Sequence, residues 1–403
     1  MSKVFFFSIP FSGHVNPGVG LAKELVKKGE EVIYYCTDSF KEKIESSGAV
    51  FRSYGSKFYL NDDFVTHNII EILRVHLELS EIIMEQLHKD IKRDKPDYIV
   101  HDFMSTWGKH AARVSNIPAV NIYTTFVEKP KGFINTIGLV LAVAAMMLKN
   151  IPRMIDIRKI SGRLKKKYNI KVKGLSDIID NKEALTLVFT SHNFQPYSYK
   201  FGVNYKFVGP VSMYRNEKIK GFKLNKSEGR PLLFISLGTV FNNDREFFIK
   251  CIKAFGDMDI DVLMSVGKKI DISSLAIPEN FTVKHFYEIP QLEVLNECDA
   301  FITHGGMNSV HEGLMFGIPL IVVPQQLEQA HMAKRVAETG CGIYLDMSEV
   351  TPESLKESYK KITSDDSYGK NAEKMKDSFL KAGGPERAAE EIFSYIKSID
   401  RMT

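Results

Sequence analysis

The densest group of polar and reactive side chains in this 403-residue sequence is His304-Gly-Gly-Met-Asn-Ser309-Val-His-Glu312. It follows the apolar run 300–303 and opens a segment of helical spacing, 309–316. Gly305 and Gly306 let backbone approach a ligand closely. Asn308 and Ser309 are residue types that cap helices and also donate to oxygen. The N–H groups and dipole of a helix's first turn attract an anion, and His304 adds a further donor. This chemistry suits a diphosphate held without a metal cluster; a tight turn with an ordinary cap is the plain alternative. Downstream, Pro324-Gln-Gln-Leu-Glu328-Gln329 follows the run 320–323. Its carboxylate and amide are placed to bond sugar hydroxyls, or else Glu328 only compensates the start of a helix over 329–339.

These residues need a frame, and the sequence supplies one twice. Apolar runs at 3–9, 31–36, 50–54, 97–102, 119–124, 185–190 and 205–208 read as strands, most of them buried on both faces. Helical spacing lies between them, at 21–26, 39–47 and 67–93, with Asn16 and Pro17 as the expected cap and first turn of the first helix. Residues 213–230 are polar and basic and read as a linker. A second series follows, with strands at 232–236, 262–266, 282–286, 300–303 and 320–323. Helices are expected at 244–255, 292–296, 309–316 and 329–339. Residues 384–403 form a last helix, with Ala388, Ile392, Ile396 and Ile399 on one face. Strand–helix alternation predicts an α/β fold with parallel sheets. The expected division is 1–212, the linker 213–230, 231–383, and the helix 384–403 packing back on the first domain. Ligands would then sit at the carboxyl ends of the strands, in a cleft between the halves.

Composition narrows the class of protein. Hydrophobic residues make up 44% and charged residues 26%, values of an ordinary globular chain. A net charge of +5 over this length does not mark a nucleic-acid binder. Cys36, Cys251, Cys298 and Cys341 are dispersed, which excludes a CxxC redox or zinc pattern and predicts reduced thiols in a cytoplasmic protein. The uncharged stretch 133–148 is shorter than the roughly 20 residues a membrane span needs. A buried or pocket-lining helix is expected there, with Phe133, Met146 and Met147 as candidate acceptor contacts; membrane-surface contact is the secondary reading. Lys268-Lys269 reads as a solvated turn. His67, His76 and His88 read as surface or pocket-lining histidines.

The C-terminal series resembles a known family. His304-Gly-Gly-Met-Asn-Ser309, Glu312, Gly317-Ile-Pro319, Pro324 and Glu328-Gln329 fall at the spacing of the UDP-glycosyltransferase signature. Pro290-Gln291-Leu-Glu-Val-Leu295 is similar to its start, and Ser236-Leu-Gly238-Thr239 to its phosphate-contacting turn. Over nearly its whole length the chain resembles the bacterial macrolide and flavonoid glycosyltransferases. The resemblance implies a GT-B fold, two Rossmann-like parallel-sheet domains facing across a cleft, with the acceptor in the first and the UDP-sugar in the second. It implies that His304, Asn308, Ser309 and Thr239 hold the diphosphate, with Ser236, Gly238, Gly306 and Gly13 completing the donor set. Glu312 would take the ribose hydroxyls, Gln291 the uracil by its backbone, and Glu328 and Gln329 the sugar. Many relatives carry an aromatic residue where this chain has Glu288; Tyr287 stands one residue earlier.

The same resemblance makes His14, in Ser12-Gly13-His14-Val-Asn-Pro17, a general base and Asp102 its acidic partner. Neutral imidazole is well matched to deprotonating a hydroxyl near pH 7. A carbonyl-bonded loop histidine, and an aspartate that merely caps the next helix, remain the alternatives. The expected activity is inverting transfer of a hexose, glucose from UDP-glucose, to a hydroxyl of an apolar small molecule, with no metal or cofactor. A lipid acceptor at a membrane, a UDP-sugar epimerase, and a non-catalytic nucleotide-sugar binder are the competing readings.

Overall fold

The structure is a computed structural model that describes residues 1–59, 68–127, 149–172, 174, 183–214, 219, 221–240 and 242–401. The chain forms two compact units. One comprises Met1–Phe189, Tyr199–Phe207 and Pro385–Thr403; the other comprises Thr190–Ser198 and Val208–Gly384.

In the first unit the order is β1 (Lys3–Phe7), α1 (Ser12–Lys27), β2 (Glu31–Cys36), α2 (Lys41–Glu45), β3 (Val50–Ser53), α3 (Ile69–Asp94) and β4 (Tyr98–Asp102). It continues through α4 (Thr106–Ser115), β5 (Ala119–Tyr123), α5 (Ile151–Tyr168), β6 (Leu185–Val188) and β7 (Tyr205–Phe207). The strands are parallel, in the order β3-β2-β1-β4-β5-β6-β7. Val4 and Phe5-Phe6-Phe7 are wholly buried, as expected for a strand covered on both faces. Each such phenylalanine contributes about 1.5–3 kcal/mol. Helix α1 covers the sheet with Val15, Leu21, Ala22 and Leu25.

The second unit repeats the plan. It runs β8 (Leu232–Ser236), α6 (Arg245–Phe255), β9 (Asp261–Val266), β10 (Phe281–His285), α7 (Gln291–Leu295), β11 (Ala300–Thr303) and α8 (Met307–Met315). Then come β12 (Leu320–Val322), α9 (Leu327–Glu338), β13 (Gly342–Tyr344), α10 (Pro352–Ser364) and α11 (Asp366–Ala382). Its sheet is parallel, ordered β10-β9-β8-β11-β12-β13. In both sheets the order reverses beside the first strand, between β1 and β4 and between β8 and β11. Successive crossovers leave such a point in opposite directions, which opens a crevice at the strands' carboxyl ends.

The expected α/β class with two parallel sheets is what the chain adopts, but several local expectations change. Helix α1 starts at Ser12, after the extended residue Phe11, rather than at Asn16. His14 and Val15 both donate backbone N–H to the Phe11 carbonyl. Pro17 therefore lies inside the helix, and the Asn16 side chain accepts from Lys43 Nζ at 2.8 Å. Helix α8 starts at Met307 with Gly306 as its cap, and no side chain caps it. Asn308 and Ser309 are first-turn residues. Helix α9 starts at Leu327, not at Gln329.

The segment 190–198, expected with the first domain, groups with the second unit. There the Thr190 hydroxyl bonds His311 Nε2 at 3.0 Å, and Arg335 donates to the carbonyls of Asn193 and Phe194. The described part of 213–230 also groups with the second unit. The last helix, α12 (Gly384–Asp400), belongs from Pro385 onward to the first, where Ala388, Ala389 and Ile392 are fully buried and Glu391 faces Lys206 at 3.6 Å. The stretch 133–148 and His67 lie outside the described residues. His76, expected at a surface or pocket, is 0% exposed and packs near Trp107. Cys298 is partly exposed, and the other three cysteines are buried.

Candidate active site

In the first unit, two expected site residues meet at the β1/β4 reversal. Phe7 on β1 is in register with His101 on β4. The chain beyond β1 turns at Pro10 into the first turn of α1, where His14 sits; Asp102 closes β4. His14 Nδ1 lies 2.8 Å from Asp102 Oδ2. The other carboxylate oxygen accepts the backbone N–H of Met104 at 2.8 Å. Asp102 thus both holds the histidine and caps the turn after its strand, so the two readings of that residue are not exclusive. Its side chain is fully buried, whereas that of His14 is 17% exposed. A carboxylate against Nδ1 puts the proton on that nitrogen and the lone pair on Nε2.

Two further residues complete this corner. Thr124 Oγ1, just beyond β5, is 3.1 Å from His14 Nδ1. Phe103 stacks on the imidazole, with ring centroids 5.7 Å apart, and itself stacks on Tyr123 at 4.7 Å. Neither was expected from sequence. The available signal for Thr124 is that it is the first polar side chain after a buried strand, at the same sheet edge as Asp102. His101 points away from this pair, its Nε2 lying 3.4 Å from Glu183.

In the second unit, the corresponding reversal gathers the diphosphate candidates. Ser236 on β8 pairs with Thr303 on β11, so the loops that follow lie side by side. Between them sits the His304 imidazole. A Cβ on Gly238 would lie 2.5 Å from its Cε1, and one on Gly306 would lie 2.5 Å from its Nε2. Both glycines are thus required by the ring itself; Gly238 also has φ of 78°. Asn242 fastens the Gly238 loop, donating to its carbonyl at 2.8 Å and accepting from Gly267 N–H through its own carbonyl at 2.7 Å. Ser236 is buried, its hydroxyl accepting from Gly238 N–H at 3.3 Å, while Thr239 is exposed.

Burial pulls the His304 pKa down to about 4. The ring is therefore neutral at pH 7 and offers one N–H. Its Nδ1 is buried without a hydrogen-bond partner among the described residues. A buried, unsatisfied ring nitrogen beside a helix N-terminus is the kind of group a ligand oxygen satisfies.

Glu312, on the inward side of α8, is 1% exposed, and its Oε2 accepts from the Gln291 side chain on α7 at 2.6 Å. Sequence reasoning assigned Gln291 only a backbone role; the structure adds a side-chain one. On α9, Glu328 is exposed in the first turn, and Gln329 is buried with its Oε1 accepting from Gln325 N–H at 2.8 Å. Glu288 accepts from the His285 backbone at 2.9 Å. Tyr287 is 52% exposed, stacked on His285, with Lys268 Nζ 5.4 Å from its centroid. Gly13 lies in the first turn of α1, in the other unit from the rest of the expected donor set. Among the described residues, no three His, Cys, Asp or Glu side chains gather as metal ligands.

Known proteins resemble this chain. The profile of the "Erythromycin biosynthesis protein CIII-like, C-terminal domain" family matches residues 250–394. The uncharacterized UDP-glucosyltransferase YojK of Bacillus subtilis is 33% identical, over 98% of this chain and 98% of its own. The chain belongs to the UDP-glycosyltransferase superfamily. The NDP-glycosyltransferase YjiC of the same organism is 35% identical, over 98% of this chain and 97% of its own. Among solved structures, the glycosyltransferase of kitacinnamycin superposes with a TM-score of 0.83 at 25% identity, over 98% of this chain and 99% of that one. This glycosyltransferase therefore has the GT-B fold, and the two switch-point clusters are its candidate acceptor-activating and donor-holding groups.

Proposed function

We propose that this glycosyltransferase moves a hexose, glucose from UDP-glucose, to a hydroxyl of an apolar small-molecule natural product, with inversion and without a metal ion. The observation that carries the reading is the His14–Asp102 pair, 2.8 Å apart, built on a sheet reversal with Nδ1 turned to the carboxylate. In the reaction, the acceptor hydroxyl passes its proton to Nε2 as its oxygen bonds the anomeric carbon. The bond from that carbon to the UDP oxygen breaks on the opposite face, which inverts the centre. Asp102 stabilises the imidazolium that forms, and base assistance of this kind is worth about 10²–10⁴-fold. The departing diphosphate takes its negative charge into the first turn of α8, beside His304, where preorganised N–H groups oppose it at no cost of reorganisation. The relatives' names, UDP-glucosyltransferase and kitacinnamycin glycosyltransferase, support this donor and class of acceptor.

The test is incubation with UDP-glucose and a panel of hydroxylated macrolides and flavonoids, reading UDP release and the anomeric configuration of the product. A β-glucoside formed equally well in EDTA is expected. An α-glucoside contradicts inversion, activity lost to EDTA and restored by Mg²⁺ contradicts metal independence, and UDP-glucose turnover without any acceptor points to an epimerase.

A further inference from the structure

Helix α5 (Ile151–Tyr168) is unlike the rest of the molecule. Its 18 residues contain seven basic side chains and a single acidic one, Asp156, a net of +6. The whole chain carries +5, so everything outside this helix is one charge negative. Most of the helix is also exposed: Ile160 and Leu164 are its only buried residues.

Its inner face is accounted for. Arg153, Arg163 and Lys167 bond Glu71, Glu81 and Glu85 of α3, at 2.6, 2.7 and 3.2 Å, each pair 82 residues apart. A constant offset means that the two helices run side by side in the same direction. Ile160, Leu164 and the partly buried Ile157 and Tyr168 pack on the same core.

The opposite face has no such account. Ile151, Ile155, Arg158 and Gly162 recur at helical spacing, with Met154, Lys165 and Lys166 flanking that line. Ile151, Met154 and Ile155 are 48%, 37% and 48% exposed. Arg158, Lys165 and Lys166 are exposed and make no ion pair among the described residues. Exposed aliphatic side chains and unpaired cations on one helix face form the pattern of a helix lying in a bilayer interface. Past the end of α5, Lys171 continues the positive charge on the rim of a cavity that Tyr168, Asn169, His110 and Arg113 also line.

We propose that the outer face of α5 docks the protein peripherally on an anionic lipid bilayer, with Ile151, Met154 and Ile155 entering the headgroup boundary and Arg158, Lys165 and Lys166 facing anionic headgroups. Charge complementarity selects this occupant. A second copy would bring like charge against like. A nucleic acid would be met by aromatic stackers or polar base readers where this face has isoleucine and methionine. No described helix is long and apolar enough to cross a membrane, so the contact is a surface one. It is independent of the transfer chemistry.

The experiment is flotation of the full-length protein with phosphatidylcholine vesicles, with and without about one-third phosphatidylglycerol. Co-flotation with the anionic vesicles alone, reversed by high salt, is expected. Each cation near such a surface contributes about fivefold to partitioning, so the triple variant Arg158→Gln, Lys165→Gln, Lys166→Gln loses roughly a hundredfold. Ile151→Ser with Ile155→Ser weakens flotation as well. Both variants keep wild-type transfer to a water-soluble acceptor, which shows that they fold. Absence of flotation, equal flotation with neutral vesicles, wild-type partitioning by the triple variant, or capture by RNA or an acidic protein in place of vesicles overturns the proposal.

Discussion

Asp102→Asn keeps the shape of the contact to His14 but removes its charge and allows the wrong tautomer. His14→Ala removes the base altogether. Both variants are expected to lower kcat, His14→Ala by about 10²–10⁴-fold, while UDP binding by calorimetry stays at the wild-type level, because the diphosphate candidates belong to the other unit. A kcat within threefold of wild type for His14→Ala contradicts the base assignment. At this scale a sequence offers residue types but not their partners. His14 and Asp102 are 88 residues apart, and local spacing says nothing of a contact across that distance; resemblance alone suggested the pair. Thr124 and Phe103 went unnoticed because a hydroxyl and a ring acquire meaning only beside an imidazole that the fold delivers.

Strands were the most legible elements, since a run buried on both faces must be continuously apolar. Helix starts were the least legible. Cap-type side chains stand at Asn16, Asn308 and Ser309, yet α1 and α8 begin earlier, at backbone turns after Phe11 and Gly306. The sequence reading assigns no element to α10 or α11, whose exposed faces are rich in charge and whose apolar faces, such as Leu355, Tyr359 and Ile362, are narrow. The start of α8 also supplies a prediction. Gly305 has φ of 86°, and a Cβ there would lie 2.7 Å from Val322 Cγ1. The left-handed conformation alone costs a residue with a Cβ about 1–2 kcal/mol. Gly305→Ala is therefore expected to lower the melting temperature by several degrees and to weaken UDP binding about tenfold, as the first turn shifts. Thermal denaturation and calorimetry check both, and unchanged values for the pair contradict this account of the turn.

For the whole molecule, buried histidines set an acid limit. An unfolded imidazole titrates near 6.5, whereas burial holds His76, His110 and His311 at about 3 and His304 at about 4. Below pH 6.5 the unfolded chain binds protons that the folded chain refuses. Stability is therefore full above 6.5 and falls as pH drops toward 4 and below. Urea midpoints are expected to fall steadily from pH 7 to pH 4, and His110→Leu to flatten that slope; a midpoint constant over the range contradicts it. Charge is likewise a property of the whole chain that hides its own distribution. A net of +5 looks featureless, and only the folded helix α5 separates three cations engaged with α3 from those on its outer face.

Sequence alone determined the α/β class, the two alternating series, the glycine turn between a strand and a helix at His304 and the family resemblance. Each of these is written in local spacing, the period of an element or the chemistry of a turn. Tertiary structure decided which strands are neighbours, and so where the sheets reverse. It brought Asp102 to His14, Gln291 to Glu312, and the His304 ring between Gly238 and Gly306. It also placed the segment 190–198 with the second unit rather than the first. Those outcomes depend on contacts between residues tens to hundreds of positions apart, which the packing of the sheets and helices selects and local spacing cannot encode.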